Sequence, residues 1–166
     1  MTEAATRLRP WQVPELTSVQ RLPMHTLRHD DLGARLDLDG TWRFQLLHTP
    51  EGEPGADWSE AAVPGCWTMQ GFDDKPHYTN VQMPFPGLPP IVPEDNPTGI
   101  YERDLELPAG WAEQRVVLHV GAAESVLIAT VNGTDVGVSK DSHLAAEFDV
   151  TSVVRPGPNT VRLRVV

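Results

Sequence analysis

The side chains best suited to chemistry lie in one proline-rich stretch, YTNVQMPFPGLPP, at residues 78–90. Asn80 lies there among apolar residues, and a carboxamide that donates and accepts hydrogen bonds at once suits a sugar hydroxyl. Aromatic side chains such as Tyr78, Phe72 and Trp67 are the usual apolar companions in a small-ligand pocket. The alternative, favoured from these residues alone, is that Asn80 only ties the backbone of its own loop.

Other catalytic signals in the sequence are weaker. Asp73–Asp74 and Glu94–Asp95 are acidic pairs that could act as acid and base, but neighbouring carboxylates in a loop are more often solvated turn residues. His25 and His29 have helical spacing without a helical pattern around them, which does not support a metal site. No phosphate-binding, dinucleotide-binding or nucleophile-elbow motif is present. The residues by themselves offer no credible catalytic set.

Composition limits the classes of partner. The chain has 166 residues, 40% of them hydrophobic, as in a globular domain. A formal net charge of -10 argues against nucleic acid and against anionic membrane surfaces. The single cysteine, Cys66, excludes an intrachain disulfide and favours a reducing compartment, so we predict a cytoplasmic protein. Cys66 itself is predicted to be a buried structural thiol rather than a nucleophile.

The elements that must position Asn80 are predicted to be strands. Short β-branched runs between turn residues indicate an antiparallel sandwich or barrel of about seven or eight strands, without a long helix. Asn132–Gly133–Thr134 is a hairpin signal. Arg103 falls on the otherwise apolar face of the predicted strand 101–107, so it needs a carboxylate partner or a route to solvent.

Between these strands, residues 68–97 form a long loop with little regular pattern. A loop of that length inside a compact domain is usually functional or disordered, and its apolar side chains argue against disorder. We expect residues 1–37 to form an irregular arm that packs on a sandwich made by residues 38–166. The apolar last strand ends without a polar tail, so we expect a sandwich truncated at its C-terminus or the front piece of a larger protein.

Several motifs resemble the N-terminal domain of the large β-galactosidases of glycoside hydrolase family 2. They occur in family order through nearly the whole chain: RLPMH (21–25), LDGTWRFQLL (38–47), VPGCWTMQG (63–71), YTNVQMPFPGLPP with IVPEDNPTGIY (78–101), VNGTDVGVSKDSHLAAEFDVT (131–151) and RPGPNTVRLRV (155–165). One such motif would be weak evidence, whereas the ordered set is specific. The loop motif points to β-galactosidases rather than to the related β-glucuronidases.

The resemblance implies an all-β fold, a jelly-roll β-sandwich of the galactose-binding-domain-like type with a long irregular Pro-rich loop. It implies that hydrolysis occurs elsewhere, on two glutamates of a TIM barrel that act as the carboxylate pair of a retaining glycosidase. It also makes Asn80 the residue that contacts the galactosyl group, so the resemblance favours the sugar contact over the purely structural role of Asn80. Tyr78 and Met83 become candidate pocket neighbours.

Further implications concern ions and partners. The family uses Mg and Na ions bound mainly by residues outside this chain, so no cofactor is expected within it. A β-galactoside such as lactose, the barrel of the same enzyme and a homo-oligomer are the expected partners.

Within 71–78 the chain has one more residue than the common family pattern, and Met83 replaces a frequent tyrosine. Phe148, in the family's EFD motif, is expected in the core. The alternative function is a stand-alone, lectin-like galactose-binding module without enzyme activity.

Overall fold

The computed structural model describes residues 4–24, 33–77, 85, 87, 88 and 90–166. The strands are β1 (Ser18–Val19), β2 (Gly40–Leu47), β3 (Ser59–Val63), β4 (Thr98–Leu107), β5 (Val117–Val120), β6 (Leu127–Val131), β7 (Thr134–Ser139), β8 (Ala146–Asp149) and β9 (Gly157–Val165). One α-helical turn, α1 (Ala4–Arg7), and 3-10 turns at Pro10–Gln12, Trp67–Met69 and Ala109–Trp111 complete the described elements. None of these helices is long and apolar enough to cross a membrane.

The strands form two antiparallel sheets, and the predicted all-β jelly-roll sandwich is confirmed. The larger sheet has the order β1-β7-β6-β9-β4-β2-β3, and β5 pairs with β8 in the smaller one. The predicted hairpin is also confirmed, because Asn132 and Gly133 have φ of 50° and 75° between β6 and β7. These left-handed conformations match the twist of the two strands.

The main core lies between the two sheets. Trp42, Phe44 and Tyr101 of the larger sheet pack in one cluster with Leu118 and Phe148 of the smaller sheet. Phe148 is 0% exposed, which confirms its predicted place in the core. Gly137 lies directly against it, since a Cβ there would approach the ring to 2.4 Å. The smaller sheet therefore covers the larger one at a distance that only glycine permits.

A second cluster occupies the other face of the larger sheet. Ile128 and Val138 pack there with Ala5 and Trp11 from the N-terminal segment. Lys140 Nζ donates a hydrogen bond of 2.6 Å to the carbonyl of Val13. Residues before position 38 thus contact the sheet directly. The division of the chain at residue 38 stays a prediction.

One local prediction needs correction, and the structure resolves another. Cys66 is exposed rather than buried, because it lies just beyond the end of β3, at the surface, with its Sγ 3.0 Å from Thr68 Oγ1. Arg103 has backbone carbonyls as its partners where a carboxylate was one of the two expected solutions. Its Nη1 donates to the carbonyls of Leu38 and Asp39 at 2.8 and 3.0 Å at the entry to β2, and the side chain is only partly buried.

A row of polar side chains crosses the larger sheet from strand to strand. In register it runs through Glu60, Arg43, Glu102, Arg162, Thr130 and Asp135. Glu102, only 8% exposed, accepts from Arg43 Nη2 at 2.8 Å and from Arg162 Nε at 2.7 Å. Opposite charges on facing strands stabilise the pairing of β4 with β2 and β9.

Removing the central carboxylate tests this row. We expect Glu102→Ala to lower the free energy of unfolding by about 2 kcal/mol, because two guanidinium groups lose a shared, buried partner. Urea denaturation of the variant measures the change. Glu106→Ala, on the exposed part of the same strand, is the matched control and should change stability by less than about 0.5 kcal/mol. Equal losses in the two variants would contradict the role of the row.

Candidate functional site

The predicted site residues Tyr78, Asn80 and Met83 lie outside the described residues, and so do His25 and His29. The structure describes the chain up to His77 and again at Phe85. The rings of these two residues contact each other, with centroids 6.0 Å apart and planes at 40°. The segment that carries the predicted sugar contact is therefore bracketed by two residues that touch.

The incoming limb of the loop, residues 67–77, is tied to the edge strand β3. The Gln70 side chain accepts from the backbone N–H of Ala62 at 2.7 Å and donates to the carbonyl of the same residue at 3.1 Å. A primary amide placed this way satisfies the backbone N–H and C=O of an edge-strand residue, as a neighbouring strand would. Gly65 lies close by, since a Cβ there would meet Gln70 Nε2 at 2.6 Å.

Aromatic rings hold the same limb against the core. Phe72 and Trp67 pack on Phe44, with ring centroids 4.4 and 6.2 Å away. Trp67 Nε1 donates to Asp74 Oδ2 at 2.6 Å. Both rings are thus engaged with the sandwich, and the expectation that Phe72 and Trp67 line a ligand pocket stays a prediction. Asp74, expected to be a solvated turn residue, is instead a partly buried hydrogen-bond acceptor.

The described residues of the returning limb, 87, 88 and 90–97, are joined to the sandwich mainly by backbone hydrogen bonds. Ile91 N–H donates to the carbonyl of Leu88 at 3.0 Å in a turn. Asn96 N–H then donates to the carbonyl of His48 at 2.8 Å, and Thr98 Oγ1 donates to the carbonyl of Asn96 at 3.0 Å. These bonds lead the chain into β4, so the two limbs of the loop leave the sandwich on either side of β2.

Large apolar side chains of the loop face solvent. Met69 is 76% exposed, Phe85 42%, Leu88 81% and Ile91 71%. Single exposed apolar residues are ordinary, but several in one loop indicate a surface that binds something. A surface cavity of about 300 Å³ lies beside the end of the returning limb, where Pro93 and Glu94 face Arg9 and Trp11, and another of about 290 Å³ lies away from the loop; neither is lined by these exposed apolar residues.

Among the described residues, the polar groups near the loop make no catalytic pair. Burial, together with the neighbouring Cys66, raises the pKa of Tyr101 to about 12, so its phenol stays neutral beneath the loop. His48 and Asp95 approach to 3.5 Å, but both side chains are largely exposed. Across the described residues no three His, Cys, Asp or Glu side chains converge, so these parts of the chain do not fit a metal ion.

Comparison with known proteins gives consistent matches. Residues 36–166 match the family described as "Glycosyl hydrolases family 2, sugar binding domain". A "Beta-galactosidase" of Psychromonas ingrahamii is 36% identical over 96% of this chain and 17% of its own length. A "Beta-galactosidase" of Enterobacter cloacae is 39% identical over 95% of this chain and 17% of its own length. Among solved structures, "Faecalibacterium prausnitzii Beta-glucuronidase" superposes with a TM-score of 0.60 at 27% identity, over 78% of this chain and 20% of that one.

The matches cover nearly the whole of this chain but only a small part of each galactosidase. The chain spans about 17% of the length of the two galactosidases that it resembles. The family match nevertheless includes strands β2 to β9 and the whole of the long loop. The candidate site is thus one loop of a sandwich that, in its relatives, is part of a much longer polypeptide.

Gly99 tests how the loop is held. A Cβ at this residue would meet the Phe44 ring at 2.9 Å and the Trp67 ring at 3.0 Å. We expect Gly99→Ala to lower the free energy of unfolding by about 1–3 kcal/mol, because the rings that hold the limb must move. Thermal or urea unfolding measures this loss. Gly110→Ala is the control, since a Cβ there meets nothing within 4 Å; a matching loss in both variants would argue against close packing at Gly99.

Proposed function

Since the chain belongs to glycosyl hydrolase family 2 through its sugar binding domain, we propose that it is the N-terminal domain of a β-galactosidase that hydrolyses terminal β-D-galactosides. The sequence relatives named "Beta-galactosidase", at 36% and 39% identity, support this assignment most strongly. The structural neighbour named "Beta-glucuronidase" is only 27% identical. The galactoside is therefore the better-supported substrate.

In this proposal the domain contributes binding and the rest of the polypeptide performs the chemistry. Hydrolysis with retention needs a pair of carboxylates about 5 Å apart, one acting as acid/base and one as nucleophile. The described acidic residues near the loop have structural partners or are exposed, so the pair is assigned to a barrel domain beyond this chain. The Mg and Na ions of such enzymes are assigned mainly to the same outside region.

Asn80 is the proposed contact to the galactosyl group. Its carboxamide can donate to one sugar hydroxyl while accepting from another, which fixes the orientation of the ring. Tyr78 and Met83 are the proposed pocket neighbours. Trp67, Phe72 and Gln70 support this assignment, because they hold the incoming limb of the loop on the sandwich. A binding residue is effective when the elements around it are rigid.

The exposed apolar side chains of the loop are proposed to pack on the barrel domain. Met69, Leu88 and Ile91 are each more than 70% exposed, and their burial would favour association. The sugar site would then lie where the loop and the barrel meet. A cytoplasmic location and assembly into a homo-oligomer complete the proposal.

Replacement of Asn80 in the complete enzyme is the primary test. We expect Asn80→Ala to lower kcat/KM for a nitrophenyl β-galactoside, because a sugar hydroxyl loses its partner in the transition state. The loss of transition-state stabilisation should be on the order of 1–3 kcal/mol. Steady-state kinetics measure the loss. Gln114→Ala removes an exposed amide from the sandwich surface and should leave kcat/KM unchanged. An unchanged kcat/KM for Asn80→Ala would sink the substrate-contact role.

Titration of the 166-residue chain alone separates this function from that of a stand-alone lectin. We expect no saturable binding of galactose or lactose up to millimolar concentrations, because one carboxamide cannot offset the cost of association. Isothermal calorimetry or ligand-observed NMR makes the measurement. Saturable micromolar binding by the isolated chain would instead establish a galactose-binding module that is complete without a barrel.

A further inference from the structure

We propose that Asn132 is a site of spontaneous deamidation, which the folded sandwich keeps unreactive through a latch of hydrogen bonds to Val153, Asn159 and Thr160. The proposal concerns the chemistry of one side chain and does not depend on the proposed sugar contact. Asn132–Gly133 is the only Asn-Gly pair in the sequence. It forms the turn between β6 and β7, where the two residues have φ of 50° and 75°.

The reaction needs no partner other than water. The backbone nitrogen of Gly133 loses its proton and attacks the side-chain carbonyl carbon of Asn132, which forms a succinimide ring and releases ammonia. Water then opens the ring at one of its carbonyls, so the net change is from asparagine and water to aspartate or isoaspartate and ammonia. Glycine favours this attack, because it has no side chain to hinder the ring closure.

The latch holds every polar atom of the Asn132 carboxamide. Its Nδ2 donates to the carbonyl of Val153 at 2.9 Å and to Asn159 Oδ1 at 2.8 Å, and its Oδ1 accepts from the backbone N–H of Thr160 at 2.9 Å. Attack by Gly133 makes the planar amide carbon tetrahedral and turns Nδ2 into departing ammonia. The carboxamide therefore reacts only after these three bonds have opened.

Asn159 supports the latch from inside the protein, where it is 3% exposed. Its Nδ2 donates to the carbonyls of Arg155 and Gly157 at 2.6 and 2.9 Å, and its Oδ1 accepts from the backbone N–H of Arg155 at 3.0 Å. The turn before β9 is thus built around this second carboxamide, and the acceptor that faces Asn132 has a fixed position. The latch opens only when this end of the sandwich opens locally.

The product of deamidation cannot restore the latch. A carboxylate offers acceptor oxygens only, whereas the carbonyl of Val153 and the Oδ1 of Asn159 both need a donor. Isoaspartate would in addition lengthen the backbone of a two-residue turn whose geometry matches the twist of its strands. The reaction therefore marks molecules in which this end of the sandwich has opened, and it leaves them permanently weakened there.

Peptide mapping of the complete polypeptide after incubation in mildly alkaline buffer tests the latch. We expect Asn132 to convert about 100-fold more slowly in the native state than in urea, because three hydrogen bonds, each contributing about a factor of 5, must open together. Asn159→Ala should raise the native rate about 5- to 30-fold and leave the rate in urea unchanged.

Thr160→Ala is the matched control for Asn159→Ala. It removes a side-chain hydrogen bond to Asp104 Oδ1 at 2.6 Å but keeps the backbone N–H that binds Asn132. The native rate of conversion should change by less than about 2-fold in this variant.

A second pair of variants tests the product directly and does not require Asn159→Ala to fold. Asn132→Asp keeps the shape of the side chain and the turn preference but replaces the donor by an acceptor. We expect the amides of residues 127–139 to exchange about 10-fold faster with solvent deuterium in this variant, because the latch is lost. Asn96→Asp makes the same change in net charge at a residue whose described hydrogen bonds come from its backbone, and should leave this exchange unchanged.

The contrary outcomes are distinct. Conversion of Asn132 at the same rate in the native state and in urea, or equal native rates in Asn159→Ala and Thr160→Ala, overturns the latch. Equal exchange in Asn132→Asp and Asn96→Asp overturns the claim that the product cannot restore it. No conversion of Asn132 even in urea overturns the assignment of the site itself.

Discussion

The contact of three aromatic rings, two of which lie directly against Gly99, is the constraint on which the rest of the structure depends. Phe44 is fully buried in β2, and the rings of Trp67 and Phe72 come down on it from the start of the loop. The approach is possible because β4 has no side chain at Gly99, where a Cβ would lie 2.9–3.0 Å from two of these rings. The core of the sandwich and the attachment of the loop are therefore the same cluster, and neither can be altered without the other.

Polar groups complete the attachment in places where apolar packing gives no direction. Aromatic packing holds the limb close to the sheet but does not specify its register. The Gln70 amide sets that register against Ala62, and the Trp67–Asp74 bond sets the turn that follows. On the sheet itself, the arginines on either side of Glu102 do the same for β2, β4 and β9. Hydrogen bonds of this kind contribute about 1 kcal/mol each to stability, so their main effect is to select one arrangement.

Sequence patterns were sufficient for the fold and for the location of the loop. Alternating runs such as Trp42–Phe44–Leu46 and the Asn132–Gly133 turn depend on neighbours in the chain, so their structure could be predicted. The roles of residues whose partners are distant in the sequence could not be predicted in this way. Asp74 has an indole as its partner, Arg103 has carbonyls from before β2, and Cys66 is exposed because its turn projects from an edge strand. The only available sign for Asp74 was a tryptophan upstream in a stretch with no regular period.

The two ends of the loop are held differently among the described residues. The incoming limb is held by rings and side-chain hydrogen bonds, whereas the described part of the returning limb between Gly87 and Asn96 has mainly backbone bonds and carries exposed Leu88 and Ile91. Under the proposed function, Asn80 follows in sequence the limb that the sandwich holds by several contacts. Leu88 and Ile91 lie on the other limb, where the proposal places the contact with a barrel domain. In that proposal the sandwich orients one limb of the loop, and burial against the barrel domain orients the other.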